Sequence, residues 1–540
     1  MQHGHDGRRI DPMSNFQPEH RLPPNPFCEQ LNSSLVTTLN TMEAARADCA
    51  IELFRVARVA SLTTAVQRAV MASSSSKTVA RNAAEIFTHW ALRDKNDEAL
   101  EGLASMRVRV LPVDVTAKRC VQTPHGRVGT LERFLMKQRR QVVVLFADNS
   151  EGEEKEEVRD LAELRLVGEG VALDKDPLVP LMELEAPGGV MYQRVLRTMG
   201  NHDNNNMDAL MEEMGRWSME ARRAIAEKRM ELGKSGPPPL AITVLHDNTS
   251  KVTFTCGDSF SCSLLLSYYE KLKCLYRGDI KEEGDAKEVF HLRVVTMLAR
   301  YHALAGAIPT DTHTNAGFHA SVHPDLSIAL KRHLSVTAEC FANPLNTNTL
   351  FFCSLFPDTD RWFGSVGSFF GFSPSEGSYH CNPPFDVTIV ERTARRLQSM
   401  LDSTSNTTST TPLSFFVVVH HTDHDKMDST LDAFKNKYLR QFRLLPRESA
   451  TYVDGHAHTS ETPCFTLRGG TLALLLQNDA AQRLWPSATV LKAVLGVWAS
   501  VSLPSSKKRE PERGDNEKEA QKKINNNRFS ALNKKGGGKK

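Results

Sequence analysis

The residues of this chain with the clearest chemical potential are Asn382-Pro383-Pro384-Phe385. An Asn side-chain oxygen and the backbone carbonyl of the next residue can each accept one N–H bond. Such a pair suits a planar amino group like that of adenine, whose nitrogen is a poor nucleophile because its lone pair is delocalised into the ring. Held by two acceptors, the nitrogen moves toward tetrahedral geometry and its lone pair points at an electrophilic methyl group. Prolines fix φ and preorganise the accepting carbonyl. Phe385 offers a flat face on which a base can stack. No strong base is required, since a methylated cationic amine loses its proton readily, and most of the acceleration comes from alignment. Asn-Pro and Pro-Pro are also common loop dipeptides, so the tetrapeptide taken alone reads equally well as a turn.

Such a loop must be aimed by a rigid element. Gly377 to Cys381, directly before it, reads as a short strand, and Val387 to Leu401 as a helix. Leu334 to Ala342, Leu413 to Val419 and Thr471 to Gln477 read as further strands. Strand–helix alternation from about Ser327 predicts an α/β fold with a doubly wound, mostly parallel sheet, Rossmann-like in class. Ligands bind such sheets beyond the carboxyl ends of the strands, where the tetrapeptide stands.

The 540 residues imply several domains. Residues 1–38 read as a flexible arm, 39–300 as a mainly helical accessory domain, 301–504 as the α/β domain and 505–540 as a disordered basic tail. Within the accessory region Arg107 to Leu111 and Gln141 to Phe146 read as strands, Glu151 to Glu157 as a solvated loop or helix start, and Met207 to Leu232 and Val289 to Leu304 as helices. Net charge is +3, yet Lys507 to Lys540 holds twelve Lys and Arg against five Asp and Glu. A basic tail on a near-neutral body suits a loose grip on a polyanion or an import signal. The ten cysteines form no C-x-x-C pair, which argues against a zinc finger. No apolar run reaches membrane-spanning length, so no membrane association is expected, and the nucleus is favoured over the cytoplasm.

Loops like Asn382–Phe385 serve enzymes acting on DNA adenine, RNA adenine and protein glutamine amides. The wider sequence is more selective. Glu339-Cys-Phe-Ala-Asn-Pro-Leu-Asn346, Phe356-Pro-Asp-Thr-Asp360, Phe363-Gly-Ser-Val-Gly367, Gly377 to Phe385, Pro412 to Phe415 and Leu476 to Asp479 with Trp485 occur in order. This string resembles the phosphorylated-CTD-interacting factor family of cap-specific mRNA adenosine-N6 methyltransferases. Arg300-Tyr301 and Gly317 to Pro324 extend it, over about residues 300–495. The resemblance implies S-adenosyl-L-methionine as cofactor and capped mRNA starting with adenosine as partner. By position, Asn382 and Pro383 hold the amine, Pro384 stiffens the loop and Phe385 stacks the adenine. Phe341, Ala342, Asn343, Pro344 and Asn346 take the place of a glycine-rich cofactor turn, although an ordinary Asx/Pro turn fits them too. Asp358 or Asp360 would meet the cofactor ribose, and Gly317 and Ala320 its methionine end. His420, Tyr452, His456 and His458 would line the substrate cleft.

His420-His421-Thr422-Asp423-His424 matches no strong zinc template, and no metal is expected. A WW module needs two Trp residues roughly 20 apart. Trp90, Trp217 and Trp362 stand too far from one another, and Trp485 and Trp498 too close. WW-mediated polymerase-tail binding is therefore not expected. The rival readings are N6-adenine methylation of another nucleic acid, protein glutamine methylation, and a catalytically silent cap- or RNA-binding protein of the same fold.

Overall fold

In a computed structural model, the described residues are 10–23, 25–36, 40–72, 91, five short stretches between 120 and 166, 176–180, and 204–501. The last range excludes 247–249, 258–259, 280–283, 305–319, 406–410, 422–426, 447–448, 462 and 468. The expected strand Arg107 to Leu111, Gly317, His424 and the basic tail lie outside the described residues.

The apolar runs of the C-terminal half form one mixed sheet of six strands: β1 (Ala338–Glu339), β2 (Phe351–Phe352), β3 (Gly377–Cys381), β4 (Leu413–His421), β5 (Leu439–Leu445) and β6 (Gly470–Gln477). Their order is β2-β1-β3-β4-β6-β5. β2, β1, β3 and β4 run parallel. β6 is antiparallel to both its neighbours, β4 and β5.

Alternation along the strands sends side chains to two faces. Phe415, Val417 and Val419 pack with Ile389, Leu397 and Leu401 of helix Val387–Ser405. Phe416 and Val418 face the other way, onto Leu326 and Leu330 of helix Pro324–Leu334 and Val494 and Trp498 of helix Ser487–Val501. Helices thus cover both faces, which is why β4 and β6 are apolar throughout rather than alternating. Each buried Leu, Val or Phe here stabilises the fold by roughly 1.5–3 kcal/mol.

The expected strand Leu334 to Ala342 is shorter than its β-branched composition suggests. Leu334 ends a helix, Ser335 takes the left-handed cap conformation at φ 55°, and pairing is confined to Ala338 and Glu339. The region expected to be mainly helical carries long helices at Met42–Ala72, Asn204–Ser235 and Asp285–Leu304, but also two antiparallel sheets of five and three strands. Glu154–Asp160, which overlaps the Glu151–Glu157 stretch read as a loop or helix start, is an edge strand of the first. Residues 10–23 and 25–36, read as part of a flexible arm, pack against the rest of the chain. Phe16 and Cys28 are buried, and Asn32 donates to the Arg361 and Ser365 carbonyls at 3.0 and 2.8 Å. No helix among the described residues is long and apolar enough to cross a membrane.

Candidate active site

The chain runs from β1 outward to β2, then crosses back to form β3 on the other side of β1. This reversal leaves a crevice between the loops following β1 and β3, the usual ligand position in an open α/β sheet. Phe341 follows β1 and Asn382 follows β3, and the two strand ends are stitched together by Cys340 N–H donating to the His380 carbonyl at 2.7 Å.

Asn382 is 9% exposed. Its Nδ2 donates to the Ala320 carbonyl at 2.9 Å, which fixes the amide orientation. Its Oδ1 is buried and has no hydrogen-bond partner among the described residues. An acceptor left this way costs about 1–3 kcal/mol unless something donates to it. Ala320, expected at the cofactor, instead orients Asn382 through its carbonyl. Pro383 is buried and Pro384 half-buried. The Pro384 carbonyl accepts from Asp386 N–H at 2.7 Å, and Asp386 Oδ1 accepts from Ile389 N–H, so the loop passes rigidly into the next helix.

Phe385 packs on His420 with ring centroids 5.1 Å apart and meets the edge of Tyr452 at 6.1 Å. Burial and the adjacent His421 hold the His420 imidazole below its usual range, so it is neutral near pH 7. Gly469 was missed in the sequence: a Cβ there would sit 2.5 Å from His420 Nε2, so only glycine leaves this ring its place. Tyr452 is buried and its hydroxyl pairs with Thr471 Oγ1 at 2.9 Å, so it supports Phe385 from within rather than lining a cleft. His456 and His458 lie away from the Phe385 ring, stacked on each other at 6.2 Å, with His458 against Tyr268 and beside the turn after β1.

The turn after β1 is closed by side chains in place of glycines. Asn343 Oδ1 accepts from Leu345 and Asn346 N–H, both at 2.9 Å, and Asn346 Oδ1 accepts from Asn343 N–H at 2.7 Å. The Phe341 ring packs on Phe369 at 4.6 Å. Pro344 is buried and Ala342 half-buried.

Asp358 is half-exposed and already paired with Arg300, whereas Asp360 is buried away from solvent. Arg300 donates to both Asp358 oxygens at 3.1 and 2.9 Å. Tyr301 OH donates to Asp360 Oδ2 at 2.6 Å and Thr359 to Oδ1 at 2.9 Å, with Asp360 wholly buried. Arg300 and Tyr301 lie almost sixty residues upstream, beyond any local pattern. Burial pushes the Asp360 carboxyl up to about 7, against the pull of its hydrogen bonds. Its protonated form is favoured by folding, so the stability it lends is full below about pH 4 and lost as pH rises through about 7. Asp360→Asn is expected to flatten that fall, as read by urea unfolding across this pH range; an unchanged slope would assign the titration elsewhere.

Among the described residues no group of three or more His, Cys, Asp or Glu side chains is arranged to hold a metal ion. At the strand ends the Asn382 Oδ1 stands as an acceptor on the same loop as Phe385, whose ring is paired with His420, an arrangement suited to aligning an amine.

Residues 271–455 match a family model described as the phosphorylated CTD interacting factor 1 WW domain. The span takes in the crevice, the Asn382 loop and the His420 ring. The expectation that a WW domain is absent, and that WW-mediated polymerase-tail binding is not to be looked for, is therefore not supported. Two curated relatives carry the name mRNA (2'-O-methyladenosine-N(6)-)-methyltransferase. The human protein is 30% identical over 258 residues, covering 47% of this chain and 35% of its own length. The mouse protein is 29% identical over the same extent. The chain thus spans about a third of the length of the curated relatives it matches. Together with the ordered motifs from Glu339 to Asp479, these matches show that residues 271–455 of the chain are similar to the phosphorylated-CTD-interacting factor family.

Proposed function

We propose that this chain is a methyltransferase that uses S-adenosyl-L-methionine to methylate N6 of the first transcribed adenosine beside the 7-methylguanosine cap of mRNA. The observation that carries this reading is the buried, unpartnered Asn382 Oδ1 at the carboxyl end of β3. It is an acceptor held ready for an N–H that no described residue supplies. The names of the human and mouse relatives support the substrate. Helices on both sheet faces and a crevice at the strand reversal support a Rossmann-like methyltransferase fold.

The cofactor supplies an electrophilic methyl group. Asn382 Oδ1 and the Pro383 carbonyl accept the two amine hydrogens, and Phe385, backed by His420 and Tyr452, steadies the base. The Asx-closed turn at 343–346 forms the cofactor side of the crevice. Residues 39–300 act as an accessory region, the basic tail adds salt-sensitive RNA affinity, and the protein works in the nucleus.

The test is mass spectrometry of nucleosides released from capped RNA after incubation with the protein and S-adenosylmethionine. N6-methylated 2'-O-methyladenosine should appear with adenosine-start RNA and be nearly absent with uncapped RNA of the same sequence. Equal methylation of uncapped internal adenines, of DNA, or of a glutamine-containing protein would overturn the cap assignment.

A further inference from the structure

Lys271 lies on helix Leu266–Leu275, outside every motif singled out above, yet it is only 2% exposed. Its Nζ donates to the Leu345 carbonyl at 2.8 Å, in the turn after β1. The Phe16 and Tyr268 rings stand 5.8 and 5.5 Å from the same nitrogen. The buried charges that act on it are Glu339 on β1, which favours its ammonium form, and Lys331 on helix Pro324–Leu334, which opposes it. Burial outweighs both and pushes the Lys271 amine down to about 7.

Burying a lysine this deeply is costly, and an apolar side chain of similar shape would stabilise the fold at least as well. The turn is what gains. Lys271 holds it at Leu345, and Glu339 Oε2 accepts from Asn348 N–H at 3.2 Å. Beside these two points the Asn343 and Asn346 side chains close the turn on itself. Lys271, Asn346, Asn348, Asp454 and His458 line one crevice there, and Asn348 Nδ2 is buried without a hydrogen-bond partner among the described residues.

We propose that Lys271 is a positioning residue, whose hydrogen bond to the Leu345 carbonyl sets the turn 343–348 in the shape that receives S-adenosylmethionine. The proposal rests on the reading of this turn as the cofactor side of the site.

The experiment is calorimetric titration of the full chain and its Lys271→Met variant with S-adenosylhomocysteine, with thermal unfolding of each. The variant should bind about tenfold more weakly, the effect of losing a charge-assisted hydrogen bond, while its unfolding temperature stays level or rises. In turnover assays KM for the cofactor should rise about as much and kcat should change little. Equal affinity in the two proteins would overturn the proposal. So would weaker binding accompanied by a lower unfolding temperature, which marks a merely structural role. Absence of binding by the unaltered chain would instead remove the cofactor reading, and the proposal with it. Should Lys271→Met fail to fold, Lys271→Gln retains a polar tip that stops one bond short of the carbonyl. It should show the same loss of affinity, and wild-type affinity there would be equally fatal.

Discussion

Asn382→Ala is expected to lower methyl transfer by about 100-fold or more while the protein stays folded, the usual scale for removing one preorganised polar group from the reacting centre. The substitution removes the unpartnered Oδ1 and the Nδ2 bond to the Ala320 carbonyl, and nothing else of consequence. The first loss is catalytic. The second frees one buried carbonyl, a cost of about 1–3 kcal/mol that a folded domain tolerates. Single-turnover methylation measured beside the circular dichroism spectrum separates the two. The effect should fall on kcat, because the amine needs both acceptors most as its nitrogen becomes tetrahedral. A variant with unchanged turnover would show that Asn382 is only a turn residue. Asn382→Asp is not a rescue, since it would set a carboxylate oxygen against the Ala320 carbonyl.

Arg300→Met is expected to destabilise the protein by about 3–5 kcal/mol, the penalty for stripping one partner from a buried ion pair. Arg300 is 2% exposed and donates to both oxygens of Glu52 at 2.7 Å, besides both oxygens of Asp358. It thereby joins helix Met42–Ala72, helix Asp285–Leu304 and the segment after β2. Glu52 keeps Arg55 as a partner, and Arg55 in turn is held by Asp176 at 3.0 Å. The Glu52→Met, Arg300→Met pair should therefore cost clearly less than the sum of the single changes, since neither charge is then left exposed to the other's absence. Urea unfolding of the four proteins tests this. Additive effects would mean that the two side chains do not stabilise one another.

Much of the sheet was legible because its strands are short apolar runs bounded by turn residues. Gly377–Cys381 has the bounds read from the sequence, and β4 and β6 extend their expected ranges by a residue or two. The same logic overreached at β1, where Val336, Thr337, Cys340 and Phe341 favour extended backbone but the ladder holds only two residues. β5 escaped notice because Arg440, Arg443 and Gln441 break its apolar pattern at the sheet edge. At the candidate site, the positions of Asn382, Phe385 and His420 were legible because one strand end or one loop delivers each. The partners of Asp358 and Asp360 were not. Their carboxylates look available until the fold brings up Arg300 and Tyr301. Lys271 carried no signal at all, since its hydrogen-bond partner is 74 residues away.

The placement of β6 has a consequence for biosynthesis. Among the described strands it is the last to leave the ribosome, yet it lies between β4 and β5, with all eight of its residues buried. Until Gly470–Gln477 has emerged, the long apolar strand Leu413–His421 presents an open edge with unpaired N–H and C=O groups. A nascent chain stalled before residue 477 would thus carry the kind of surface that recruits chaperones or pairs with a neighbouring chain.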